Sequence, residues 1–156
     1  MRLAQIHVLN LMKWIWLKYD DLDDSQLRDI SELRKSFFEA DQEDQVKDEY
    51  DEISFHLLGQ IDSDLIAYGR VIPPHGKFVN PYLSRIIVAE KYRKKGFGKA
   101  LVNELSKKSK DLFSDKMTKV SSLASTLSFY KKNNFIEDKK FIDEAGVEHF
   151  ILLKND

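Results

Sequence analysis

Arginine and lysine crowd around two glycines in one short stretch of this chain, Arg93-Lys94-Lys95-Gly96-Phe97-Gly98-Lys99. The apolar residues that follow, Leu101, Val102, Leu105, Leu112 and Phe113, recur with helical period, so the stretch opens a helix. The first amides of a helix have no intrahelical acceptor and carry partial positive charge, and glycine lets a ligand approach them closely. Cationic side chains add formal charge at the same point. A pyrophosphate suits that combination; a solvated basic turn is the plainer reading of a lone glycine pair.

Spacing separates the motifs that compete for these residues. A P-loop needs glycine five positions before Gly98 and Ser or Thr after the lysine, where this chain has Arg93 and Ala100. A dinucleotide fingerprint needs a small residue three positions after Gly98 and meets Leu101. Lys95-Gly96-Phe97-Gly98 matches the opening of an RNA-recognition strand, but Lys99 stands where an aromatic belongs and the following period is helical. What remains is Arg93-x-x-Gly96-x-Gly98, five residues after Val88.

The elements that must position this turn follow from periodicity. Lys13 to Tyr19 reads as a first strand. Asp23, Asp24 and Ser25 offer N-cap oxygens to a helix carrying Leu27, Ile30, Leu33, Phe37 and Phe38. The acidic run Asp41 to Glu52 reads as an exposed loop or short helix. Ile53 to Ile61 and Leu65 to Ile72 form a hairpin across Asp62-Ser63-Asp64, and Tyr82 to Val88 is the strand that feeds the basic turn. After the long helix come a strand at Lys119 to Leu123, a short helix carrying Leu127, Phe129 and Tyr130 that closes at Asn133-Asn134, and a final hairpin of Phe135 to Ile142 with Val147 to Leu153. The expected order is strand, helix, three strands, helix, strand, helix, two strands.

With strand and helix on either side, the turn closely resembles motif A of the GCN5-related N-acetyltransferases. The resemblance implies a mixed, mostly antiparallel twisted sheet flanked by helices, α+β in class, and acetyl coenzyme A as cosubstrate. It assigns main-chain groups of Ile86, Ile87 and Val88 to the pantetheine arm and Arg93, Lys94, Lys95, Gly96, Phe97, Gly98 and Lys99 to the pyrophosphate. Lys94 departs from the glycine that many members carry; no amide is lost by it. Phe129-Tyr130-Lys131-Lys132-Asn133-Asn134-Phe135 is similar to the family's late segment, with Tyr130 at the position of its general acid and Asn134 in place of the usual glycine. The phenol either protonates the departing sulfur or only packs. Where the family often has an asparagine contacting the coenzyme, this chain offers Ser121, Ser122 and Ser125, of which Ser125 is the candidate.

From Met12 onward the chain also looks like the ElaA-like subgroup, through Arg34 to Gln42, Asp51-x-x-Ser54-x-His56, Ala67-Tyr68-Gly69-Arg70, Ser84 to Val88 and Gly146-Val147-Glu148-His149. On the acceptor side, Arg70 and Arg85 fall on neighbouring strands, where they either bind a carboxylate or pair with acidic residues. His56 and His149 are candidates for a base, directly or through water, against the alternative of hydrogen-bonded core histidines. Glu39, Asp41, Glu43 and Glu49 either draw a cationic amine or solvate a loop.

Composition limits the alternatives. A chain of 156 residues suits one domain, expected over 12–156, with 1–11 as an extension of uncertain role, disordered or lying upstream of a second start. Net charge of -1 demands neither nucleic acid nor an anionic membrane, and no run approaches the roughly 20 apolar residues of a membrane span. Residues 1–11 make a poor signal peptide. Absence of cysteine removes disulfides and thiolate nucleophiles and fits a reducing, cytoplasmic setting. The four scattered histidines make no metal-ligand pair, so no metal is expected. The expected activity is direct transfer from acetyl-CoA to an amine on a small molecule or a protein, and a homodimer is compatible with it. The alternative is a coenzyme A-binding module without turnover.

Overall fold

The computed structural model describes residues 3–37 and 47–155; Phe38, Glu39, Asp41 and Glu43 lie outside them. Eleven principal elements follow one another among the described residues: α1 (Leu3–Asn10), β1 (Lys13–Lys18), α2 (Asp24–Phe37), β2 (Phe55–Ile61), β3 (Asp64–Ile72), β4 (Tyr82–Val88), α3 (Phe97–Leu112), β5 (Lys119–Leu123), α4 (Leu127–Lys132), β6 (Phe135–Ile142) and β7 (Glu148–Lys154). The seven strands form one sheet in the order β1-β2-β3-β4-β5-β7-β6. Every neighbouring pair is antiparallel except β4 with β5, whose parallel pairing requires the crossover that α3 supplies. From β1 onward the order of elements matches the expectation from periodicity. The departure is residues 3–10, which form a helix whose Val8 and Leu9 pack against the core.

Side chains alternate across each strand, so the sheet presents two apolar faces, and a helix covers each. Leu57, Ala67 and Val71 meet Phe97, Leu101 and Leu105 of α3 on one face. Leu58, Tyr68 and Ile87 meet Ile30 and Leu33 of α2 on the other. Asp23 starts α2 with a reciprocal cap: its carboxylate accepts the Gln26 amide at 2.7 Å, and the Gln26 side chain accepts the Asp23 amide at 2.9 Å.

Two boundaries differ from those read by pattern alone, each because turn hydrogen bonds claim the residues. Ile53 donates to the Tyr50 carbonyl and Ser54 to that of Asp51, so β2 begins only at Phe55. Asp143 Oδ1 accepts the amides of Ala145 and Val147, which delays β7 to Glu148.

Candidate active site

Among the described residues β4 and β5 pair at Tyr82 with Lys119 and Leu83 with Val120, and then part. A bulge drives the parting. On the β3 side Tyr68 pairs with Ile87 and Arg70 with Ser84, so Gly69 alone faces both Arg85 and Ile86. Arg85 absorbs the extra residue with φ 54, a left-handed conformation that costs an ordinary side chain about 1–2 kcal/mol. Gly69 is needed opposite, because a Cβ there would stand 2.6 Å from Leu105 Cδ1 of α3. Main-chain groups of residues 84–88 that would have faced β5 are thereby left to solvent or a ligand, apart from the Val88 carbonyl, which Arg93 takes.

The basic turn closes one end of this wedge. Gly96, with φ 92, precedes α3 and supplies no side-chain cap. Ala100 makes the helix's first backbone bond, to the Gly96 carbonyl at 3.2 Å, so the amides of Phe97, Gly98 and Lys99 have no intrahelical acceptor. Lys94 takes φ 61, which explains why glycine suits that position. Arg93 folds back, its Nε donating to the Val88 carbonyl at 2.9 Å, while Lys94, Lys95 and Lys99 remain exposed. Phe97 is buried edge-on against Tyr92, so it offers the site only its backbone. A Cβ on Gly98 would meet the Phe129 ring at 3.3 Å, so this glycine lets α3 begin against α4.

Contact with α4 brings Tyr130 to the same cleft, which measures about 700 Å³ and is lined by Ile86, Ser121, Ser125 and Tyr130 on the wedge side. Tyr130 sits edge-on to Phe129 and Phe135, with Asn134 at φ 66 turning the chain into β6. Burial lifts its phenol to about 12. Of the three assigned strand residues, Ile86 lines the cleft, whereas Ile87 packs its side chain under α2 and pairs through its backbone with Tyr68 of β3.

The cleft's other half is lined by Arg85 and His149 together with Phe37, Tyr50, His75, Phe78, Tyr82 and Phe141. His149 Nε2 lies 2.7 Å from Asp143 Oδ2, and its ring stacks on Phe141 with centroids 4.8 Å apart. The His149 bond, with the Val147 and Ala145 amides, holds the Asp143 carboxyl below its usual range. In the neutral tautomer that donates Nε2–H to Asp143, Nδ1 carries the lone pair.

His56 does not join this site. It is buried beside a smaller cavity lined also by Tyr19 and Ile30, its Nδ1 accepting from the Tyr68 hydroxyl at 2.7 Å and its Nε2 donating to the Asp51 carbonyl at 2.8 Å. With both nitrogens taken inside the protein, it is a structural histidine rather than a base. Burial holds its imidazole below the usual value, outweighing the bond to Asp51.

Arg70 is likewise internal. Its guanidinium grips Asp48 through two 2.6 Å contacts, Nη1 to Oδ1 and Nη2 to Oδ2, and reaches Asp51 Oδ1 at 2.6 Å. Arg34 holds the same Asp51 oxygen at 2.8 Å, and Arg85 Nη2 meets Asp48 Oδ2 at 3.2 Å from the cleft side. The acidic run is therefore no solvated loop at its end: Asp51 is 3% exposed. Burial alone would raise the Asp48 carboxyl, but Arg70, with Arg85 and Arg34, holds it below the usual range. Glu49, by contrast, is exposed. Sequence reading placed Arg34 and Asp51 in motifs without giving them a role and passed over Asp48; the spaced Asp51, Ser54 and His56 were the available signal.

Comparison with known proteins agrees with this architecture. The sequence model of the acetyltransferase (GNAT) family matches residues 15–135. A UPF0039 protein of Schizosaccharomyces pombe is 30% identical over 143 residues, covering 88% of this chain and 93% of its own. Protein ElaA of Escherichia coli is 25% identical, covering 89% of this chain and 94% of its own, and its crystal structure superposes with a TM-score of 0.80 at 23% sequence identity over 92% of this chain and 99% of that one. A GNAT family acetyltransferase from Elizabethkingia anophelis with acetyl-CoA bound superposes at 0.70 with 13% identity, covering 94% and 99%.

His56 and Asp48 each make the fold acid-labile. Because His56 has a depressed folded pKa, its contribution is present above its unfolded value of about 6.5 and is lost as pH falls through its folded one; the Asp48 contribution is present above about 4 and is lost below. Thermal midpoints should hold steady above about pH 7, decline as pH falls below about 6.5, and fall again below about 4, and His56→Gln should remove the first decline. The chain whose wedge, turn and cleft these are belongs to the acetyltransferase (GNAT) family.

Proposed function

We propose that this protein transfers the acetyl group of acetyl coenzyme A directly to a primary amine. The parting of β4 from β5 at Leu83 carries the reading, because it leaves a row of main-chain donors and acceptors beside an amide-rich, cationic helix start. An arm built of amides, ending in a pyrophosphate, matches both halves of that surface: the arm lies along Ile86, Ile87 and Val88 as an added strand would, and the phosphates meet the amides of Phe97, Gly98 and Lys99. Arg93, Lys94, Lys95 and Lys99 supply charge around them, and Ser125 a hydroxyl on the wedge's far wall. The acetyl-CoA held by the Elizabethkingia neighbour supports the same ligand here.

Chemistry in the cleft needs few groups. The amine nitrogen attacks the thioester carbonyl, a C–N bond forms, the C–S bond breaks, and sulfur leaves as thiolate. The proton released from nitrogen passes to His149, directly or through water, with Asp143 holding the ring. Tyr130 is a poor proton donor: burial lifts its phenol to about 12, above the ~8.5 of a free thiol, so full transfer is uphill. It acts instead by hydrogen-bonding the developing thiolate while keeping its own proton. Positioning of amine and thioester supplies most of the rate.

Excess acetyl-CoA should raise the thermal midpoint of the purified protein, and Arg93→Ala with Lys95→Ala should abolish the shift. No shift at millimolar acetyl-CoA contradicts the reading, and a shift without turnover on any amine makes the protein a binding module.

Tyr130→Phe should lower kcat about 10- to 100-fold, the worth of one hydrogen bond to a charged group, with little change in KM for acetyl-CoA. Because the wild-type phenol stays protonated, kcat should show no descending limb up to about pH 10. An unchanged kcat in the Phe variant would leave Tyr130 a packing residue.

A further inference from the structure

The acceptor half of the cleft has a pronounced chemical character. Among the described residues three phenylalanines are more than a third exposed, Phe37 at 45%, Phe78 at 37% and Phe141 at 47%, and all three line this one opening. Exposed rings gathered about one concavity, unlike apolar residues scattered singly, mark a place where something apolar binds. Here the rings form two walls. Along one, Tyr50 meets His75 at 5.4 Å, His75 meets Phe78 at 5.1 Å, and Phe78 meets Tyr82 edge-on at 6.3 Å. The other is the stacked pair of Phe141 and His149.

Neither wall is incidental to the fold. Tyr50 is fixed by the buried ion network: its amide donates to Asp48 Oδ1 at 3.0 Å, and the Arg70 guanidinium carbon lies 5.9 Å from its ring centre. His75 is tied by Nδ1 to the Pro73 carbonyl at 2.8 Å and by its backbone to Phe78, so the β3–β4 connection holds its rings in place. Asp143 fixes the orientation of His149 opposite. Rings held by their backbones and by buried charge pay little entropy when a flat ligand enters between them.

Resting on the acyl-transfer reading above, we infer that the acceptor is a primary amine carried on an aromatic ring, an arylalkylamine, whose ring is held between the Tyr50–His75–Phe78–Tyr82 wall and the Phe141–His149 pair while its amine faces the wedge. Offset or edge-on pairing with such rings adds to binding beyond what burial alone gives. A linear polyamine gains none of this.

The test uses the full chain with 2-phenylethylamine, putrescine and Nα-acetyl-lysine amide, following thiol release with acetyl-CoA and, in parallel, the additional thermal shift each amine gives the coenzyme A-loaded protein. Phenylethylamine should show kcat/KM at least about 100-fold above putrescine and should alone add to the thermal shift. Phe78→Leu and Phe141→Leu, which keep apolar bulk and remove the ring, should each lower kcat/KM for phenylethylamine about tenfold while leaving stabilisation by acetyl-CoA at the wild-type level. Equal or better turnover of putrescine or the lysine amide, or equal thermal shifts from all three, overturns the proposal while leaving acyl transfer standing. Loss of stabilisation by acetyl-CoA itself in the wild-type protein overturns acyl transfer, and this proposal with it.

Discussion

Two parallel strands that start side by side and then part leave main-chain groups that neither can satisfy, and this parting is the constraint on which the site depends. It begins where β4 must fit one residue too many against β3, with Arg85 in a left-handed conformation and Gly69 thin enough to let Leu105 close the far face. Such strain persists only where the surroundings over-determine it, and here they do. The sheet is pinned by α3 on one side and α2 on the other, so β4 cannot straighten and re-pair with β5 without losing its register to β3. The wedge, the cleft beside it and the approach of α4 to the basic turn all follow from that geometry.

The second organising interaction is the charge network behind β3 and β4. Burying guanidinium and carboxylate groups costs desolvation that their attraction barely offsets, so such networks are weak evidence for stability in themselves. Removing one partner is another matter, because the remaining charges are left in a low-dielectric interior. The arrangement is better understood as a positioning device. Asp48 and Asp51 draw the segment before β2 down onto the sheet, and in doing so bring Tyr50 to the cleft and give His56 the carbonyl its Nε2 requires. A single buried network thus connects the fold beneath α2 to the wall facing an acceptor.

What sequence alone revealed divides along the range of the interactions. Short-range signals carried well: the β4 strand, the glycine turn and the apolar period of α3 lie within one continuous stretch, and their meaning does not depend on distant partners. Long-range pairings did not carry. An acidic run looks solvated until three arginines from 17 to 37 residues away prove to be facing it. The bulge was invisible because no glycine marks Arg85. The aromatic walls were invisible because Tyr50 precedes β2, Phe78 lies in the β3–β4 connection and Phe141 near the end of β6, far apart in the chain. His56 and His149 could not be told apart by type; the first is sealed by Tyr68 and Asp51, and the second borders the cleft with Asp143 behind it.

The most direct test of the central claim is residue-resolved amide mapping by NMR, titrating coenzyme A into the isotopically labelled protein. If the wedge and the helix start hold the coenzyme, the largest amide shifts fall at residues 86–88 and 96–99, on elements separated by the turn but joined by the ligand. Shifts concentrated instead around the smaller cavity at Tyr19 and His56, with residues 86–88 and 96–99 unmoved, would contradict the account.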